Sequence, residues 1–285
     1  MATAGSLITN IQKMFGDTNG DFITNTVGLD WLNRAQRRFC HEVLALDEYK
    51  DYAIVAKANK FDFPTDAIWP VNVMWYQARV VKLEYTTPDL WAQIEEAHPY
   101  TTGTPERYAV LKRQIIVGPQ IPQTASKTTT ASGVIYASHT TLGLVAASGT
   151  FRSRGFVKVN SEVMEFTGVA TTTLTGITRG VHNTTTASHA SGDTVTQMDL
   201  IAFYRKSPAE ITATTTTPDV PVVFQDYLEK YALYLAWQAR GDTAKAQQVY
   251  AEFTQYEKDS VKTIGRRALD GLLHIQEKRQ RWRWW

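Results

Sequence analysis

Six histidines, one cysteine, a few paired acids and clusters of arginine with tryptophan are the side chains here that could do chemistry. The histidines are His41, His98, His139, His182, His189 and His274, and no two stand four apart, the spacing that puts two metal ligands on one helix face. The stretch GDTNGDF offers oxygens at Asp17, Asn19 and Asp21, alternating as in a calcium loop. The rest of such a loop is missing: Phe22 stands where the turn glycine belongs and Gly28 where the bidentate glutamate belongs. It reads as a polar turn. Glu95 and Glu96 fall in a helical stretch, where adjacent side chains diverge by about 100° and do not share a substrate. Cys40 follows Phe39 in mid-helix and reads as a core thiol. No glycine-rich phosphate loop, nucleophile elbow or HExxH occurs. No catalytic residue, no metal site and no cofactor is expected.

The arginines and tryptophans suggest binding instead. In RQRWRWW, Arg279, Arg281 and Arg283 interleave with Trp282 and Trp284, and Trp285 follows. An extended strand would put the indoles on one side and the guanidinium groups on the other. Tryptophan and arginine are the types most enriched at binding hot spots, where one anchor carries about 2 kcal/mol or more. These six residues read as a docking tail that orders in a partner's groove; an interfacial membrane contact is the rival reading. A second cluster, Arg34, Arg37 and Arg38, lies on a helix expected over 27–45, largely off its apolar stripe of Leu32, Ala35, Phe39 and Val43. It reads as a solvated face or as a contact with an acidic partner surface.

The elements that must position these residues follow from composition and period. The chain has 285 residues, 43% of them apolar, enough for a sizeable core. Lys plus Arg is 30 against 28 Asp plus Glu, so no strong global field draws it to nucleic acid or to acidic membranes. One cysteine excludes an internal disulfide, and no 18-residue apolar run or leader pattern occurs, so a reducing cytoplasm and no stable membrane anchor are expected. Composition breaks the chain at 124–198, where Thr, Ser, Gly and Ala dominate.

Before that break, Ser6 can cap a helix carrying Leu7, Ile8, Ile11, Met14 and Phe15, which Gly16 closes. YAIVAK, KFDFP, NVMWYQ and RVVKLEY alternate as strands, Thr87-Pro88 opens a short helix over 88–97, and ERYAVLKRQIIVGP reads as a hairpin. After it, DLIAFYRKSP is one more strand. A helix with Val222, Tyr227, Leu228 and Tyr231 stops at Gly241, and Asp242 caps its partner with Ala246, Val249, Tyr250 and Phe253. The threonine runs 128–130 and 214–217 read as extended connectors, the second facing the final helices.

This order of elements resembles the head–tail adaptor (connector) proteins of tailed bacteriophages. Gly103-Thr104-Pro105, the ERYAVLKRQIIVGP hairpin with Pro119, the IAFYRKSP strand and the Gly241-Asp242 turn carry the likeness, over 6–121 and 199–264. GFVKVNSEVMEFTG, TLTGITRG and TTTASHASGDTVT resemble a small β module that recurs in phage structural proteins, on Gly155, Glu162, Gly168, Leu174, Arg179, Gly180, His189 and Gly192. There Arg179-Gly180 suggests a turn with a hydrogen-bonding guanidinium, and His189 reads as a satisfied structural histidine.

The resemblance implies an α+β fold: N-terminal helices and a C-terminal helical hairpin, a small mostly antiparallel sheet, and an inserted all-β domain. The expected domains are an adaptor body over 1–123 and 199–264, the insert over 128–197, separable and projecting, and a docking tail over 265–285. It also implies a ring of copies, twelve by the family pattern, that joins the portal to the tail or nozzle in the virion neck. DNA would pass through it without sequence-specific binding. Arg34, Arg37 and Arg38 would then face a neighbouring chain or the portal, and the tail would dock on the portal. The rival function is an envelope- or carbohydrate-binding module with a Trp/Arg membrane-binding tail.

Overall fold

Helix α1 (Ala4–Phe15) buries Leu7, Ile8, Ile11 and Phe15 along one face. Its cap is Thr3 rather than Ser6: the Thr3 side chain accepts from Ser6 N, and Ala4, already buried, starts the helix three residues early. Gly16 ends it at φ 86°, a left-handed position that favours glycine. The chain is described here from a computed structural model covering residues 2–43, 46–76, 80–97, 101–122, 124–145 and 151–259.

Helix α2 (Asn25–Val43) crosses α1 closely. A Cβ on Gly28 would sit 2.7 Å from the Ile8 side chain, so only glycine allows this approach. Between the two helices the GDTNGDF stretch is a turn: the Asp17 carboxylate accepts from the amides of Asp21, Phe22 and Ile23 at 3.1, 3.1 and 2.7 Å. Thr214–Thr217 meets α1 rather than the final helices, since the Thr216 and Thr214 carbonyls accept from Ala4 N and Gly5 N, each at 2.8 Å. They satisfy amides that a helix N-terminus leaves without partners.

The chain divides into two compact units, 1–47 with 206–285 and 48–205. In the first, helix α4 (Gln225–Arg240), entered through a 3₁₀ turn at Val222–Phe224, packs on α1 and α2. Gly241 ends it at φ 83°, and Asp242 Oδ1 accepts from Lys245 N at the head of helix α5 (243–259). Phe39, Tyr227 and Phe253 form the aromatic centre of this bundle.

The second unit holds the strands β1 (Asp47–Tyr52), β2 (Lys60–Asp62), β3 (Ala67–Trp75), β4 (Val81–Lys82) and β5 (Glu84–Tyr85), then helix α3 (Pro88–Ala97). β6 (Thr101–Thr102), β7 (Arg107–Leu111), β8 (Gln114–Gly118), β9 (Gln120–Ile121) and, after the insert, β17 (Leu200–Lys206) complete the set. Two four-stranded sheets, β1-β17-β3-β4 and β2-β8-β7-β5, share a core of Val73, Trp75, Leu83, Ile115, Val117 and Leu200. Most pairings are antiparallel, with β5–β7 and β6–β9 parallel. The first strand falls at 47–52 rather than 52–57. Lys57, at φ 64°, donates its amide to Pro122 O, and Ala58 bonds back to Val55, so this stretch turns.

Between β9 and β17 lies the all-β insert. β10 (Thr128–Thr130), β12 (Gly155–Val159), β13 (Glu162–Phe166) and β16 (Thr194–Met198) form one sheet in the order β10-β16-β12-β13. β11 (Thr141–Gly143), β14 (Gly168–Ala170) and β15 (Thr173–Thr175) form another. Val157, Val159, Met164, Phe166, Leu174 and Val195 sit among its buried core. Thr128–Thr130 is thus an edge strand paired with β16 rather than a connector. The mixed α+β class expected from the sequence is the one observed.

Candidate functional site

The arginine face of α2 divides in two. Arg34 is exposed and pairs with Asp30, four residues earlier, at 2.9 Å. Arg37 is exposed too, and its Nε donates to Asn33 O at 3.2 Å. Arg38 turns inward to the helical hairpin. Its Nε and Nη2 reach the Glu257 oxygens at 3.2 and 3.3 Å, and its guanidinium lies over Tyr231, Tyr250 and Phe253 at 5.3, 5.9 and 5.1 Å. Burial alone would lower the Arg38 pKa, but the Glu257 pair outweighs it and holds the group above its ordinary range. Tyr227 Oη donates to the same Glu257 at 2.7 Å. Two of the three arginines are thus exposed, and the third tightens its own unit.

The insert is organised around one carboxylate. Glu162 is fully buried at the head of β13. Arg179 Nε and Nη2 bond its two oxygens at 2.7 Å each, and the amides of Gly180 and Ala187 add bonds of 3.1 and 3.0 Å. His189 Nε2 completes the set at 2.8 Å; an ionised carboxylate only accepts, so Nε2 carries the proton. Arg179 also donates to Tyr136 O and Ala187 O, which pins the loops around 136 and 187. Burial pushes the Glu162 pKa up, but the Arg179 pair, the Ala187 amide and His189 overcome this and hold it at about 2. His189 is buried and satisfied, and Gly180 turns at φ 62°, as the sequence suggested.

A second pair of acids ties the insert to the sheet of its own unit. His182 Nδ1 lies 2.7 Å from Asp51 Oδ1, and the ring stacks on Tyr49 at 4.6 Å and tilts on Phe156 at 4.5 Å. Arg152 Nη2 lies 2.6 Å from Asp199 Oδ1, over the Tyr76 ring. The other oxygen of Asp199 accepts from Ser126 Oγ at 2.6 Å. Burial lowers the Arg152 pKa, with Asp199 opposing. None of these residues stood out in the sequence. His182 and Asp51 are 131 positions apart and no short motif links them.

Among the described residues, no group of three or more His, Cys, Asp or Glu side chains could hold a metal, and no helix is long and apolar enough to cross a membrane. Cys40 is buried, and burial pushes its thiol up to about 12. Arg279, Arg281, Trp282, Arg283, Trp284 and Trp285 lie outside the described residues. The ion pairs of Glu162, Asp51, Asp199 and Glu257 fix loops and elements within their units. Residues 2–153 match the SU10 adaptor protein family. No curated protein matches the chain.

Proposed function

The chain belongs to the SU10 adaptor protein family of phage head–tail adaptors, and from that premise we propose that it forms a ring in the virion neck between portal and tail. Its role in the particle is structural. In this reading 1–123 and 199–264 are the adaptor body, 128–197 an added module and 265–285 the tail that docks on the portal. Copies number twelve by the family pattern. The ring leaves a bore through which DNA passes without sequence-specific binding, and a net charge of +2 suits a bore that must not hold phosphates. Arg34 and Arg37 meet a neighbouring copy or the portal, while Arg38 stiffens the helix that presents them. Arg279, Arg281, Trp282, Arg283, Trp284 and Trp285 anchor the tail, and repetition around a ring multiplies a modest single-site affinity.

The family match over 2–153 carries this reading. Co-sedimentation of the purified chain with portal rings tests it. We expect the chain to pellet with the portal and a chain lacking 279–285 to bind much less. Undiminished binding after that deletion would move the docking site elsewhere. A chain that ignores portals but pellets with glycan or anionic vesicles would favour the envelope-binding alternative.

A further inference from the structure

Two exposed apolar features, one in each unit, have complementary chemistry. In the 48–205 unit, Trp69 and Tyr85 are 56% and 41% exposed, with ring centroids 6.3 Å apart. With Phe63, Pro70, Val110 and Arg113 they line a cleft of about 280 Å³. That is just under the range of small-molecule pockets, roughly 300 to 1,000 Å³, so it suits an inserted side chain or two rather than a ligand. Arg113 stands at its rim on the β7–β8 turn, where Lys112 and Arg113 take φ of 47° and 62° and Arg113 Nη2 donates to Pro64 O at 2.9 Å. The cleft thus offers aromatic surface beside a cation held in place by its turn.

The other feature is a knuckle. After Pro221, Val222 and Val223 are 54% and 67% exposed, while the next residue, Phe224, is buried. Tyr256 Oη donates to Val223 O at 3.1 Å and fixes the turn. Carboxylates flank it on both sides, Asp219 and Asp226, both exposed. Asp219 accepts from Ala209 N, whereas Asp226 pairs with no cation among the described residues. Adjacent exposed valines between acids match an aromatic cleft beside Arg113 and Lys112, in apolar character and in sign of charge.

We propose that the Val222–Val223 turn of one copy seats in the Trp69–Tyr85 cleft of the next, with Asp226 facing Arg113. The contact uses different surfaces on the two copies, and such a heterologous contact builds rings when its rotation closes. This rests on the ring reading above and names the surfaces that would make it. The charge pair sets register and partner choice more than affinity; the two valines against the aromatic lips supply the anchor.

Sedimentation velocity of the full chain across concentration, alone and with portal rings, tests the contact. Val223→Asp and Trp69→Asp should each weaken self-association by about thirtyfold or more, the scale of a hot spot. Mixed together, the two variants retain one intact cleft and one intact knuckle, so they should form a heterodimer and nothing larger. Arg113→Asp and Asp226→Arg, both at exposed positions, should each weaken assembly, and the double exchange should restore it even if Trp69→Asp fails to fold. Wild-type chain that assembles while these variants assemble equally well overturns the contact alone. Wild-type chain that stays monomeric both alone and on portals overturns the ring reading, and the contact with it.

Discussion

Changing Glu162 to Gln keeps the side chain's shape and removes the charge at the centre of the insert. In the folded chain that carboxylate takes bonds from Arg179 twice, from two amides and from His189. Its pKa is held at about 2 against an ordinary 4.5, a difference corresponding to about 3 kcal/mol of stability at neutral pH. The cost of stripping one partner from a buried ion pair is independent of that figure and similar, about 3–5 kcal/mol; Arg179 is only 7% exposed and would be left without its anion. Because the folded pKa is depressed, this stability is fully present above pH about 4.5 and drains away as pH falls toward 2. Fluorescence would miss the event, since none of the eight tryptophans lies within 128–197. Hydrogen exchange of the segment containing Gly180 and Ala187 reads it directly. At pH 7 the variant should exchange there about a hundredfold faster than wild type. Between pH 5 and 2 only wild type should lose protection through this group. Equal exchange at pH 7 would refute the claim that the network holds these loops.

Other outcomes follow from the same reasoning. Arg38→Ala leaves Glu257, 15% exposed, without its cation; because Arg38 itself is 30% exposed we expect about 2 kcal/mol, a melting temperature lower by roughly 4–8 °C. Arg34→Ala should change stability by less than about 0.5 kcal/mol, so equal melting of the two variants would contradict the division of the arginine face. Cys40 should resist a thiol reagent at pH 8 in the native chain and react on unfolding, since burial pushes its thiol up to about 12; prompt native reaction would place it at the surface. Replacing 128–197 with a Gly/Ser linker removes His182 from Asp51 and Arg152 from Asp199, acids only 8% and 4% exposed, so the remainder should lose about 3 kcal/mol or more. Melting of that shortened chain at the wild-type temperature would show that the junction contributes little.

The helices were readable because helical period and glycine stops agree. Leu7, Ile8, Ile11 and Phe15 share a face that ends at Gly16, Pro88 opens α3, and Gly241 separates α4 from α5. The strands were readable where alternation is bounded by a turn, as at β7 and β8. They were misplaced where it is not: YAIV alternates, yet of its apolar residues only Ile54 is buried, and hydrogen bonds to distant Pro122 and Ser126 bend the chain there. Thr128–Thr130 reads as a connector in sequence because threonine serves both edges and loops; its partner strand lies more than sixty positions away. The site was less legible than the fold. Glu162, Arg179, Gly180 and His189 were singled out only through the resemblance of the insert, and their convergence on one carboxylate is a matter of tertiary geometry. Arg38 differs from Arg34 and Arg37 through Glu257, 219 positions on, and through the rings of Tyr231, Tyr250 and Phe253. The junction residues Asp51, Arg152, His182 and Asp199 carry no local pattern at all.

The most direct measurement of the adaptor role is electron microscopy of particles assembled without this chain. Heads and tails should be present but unjoined, with joining restored when purified wild-type chain is added back. Complete particles with tails normally attached in its absence would contradict it.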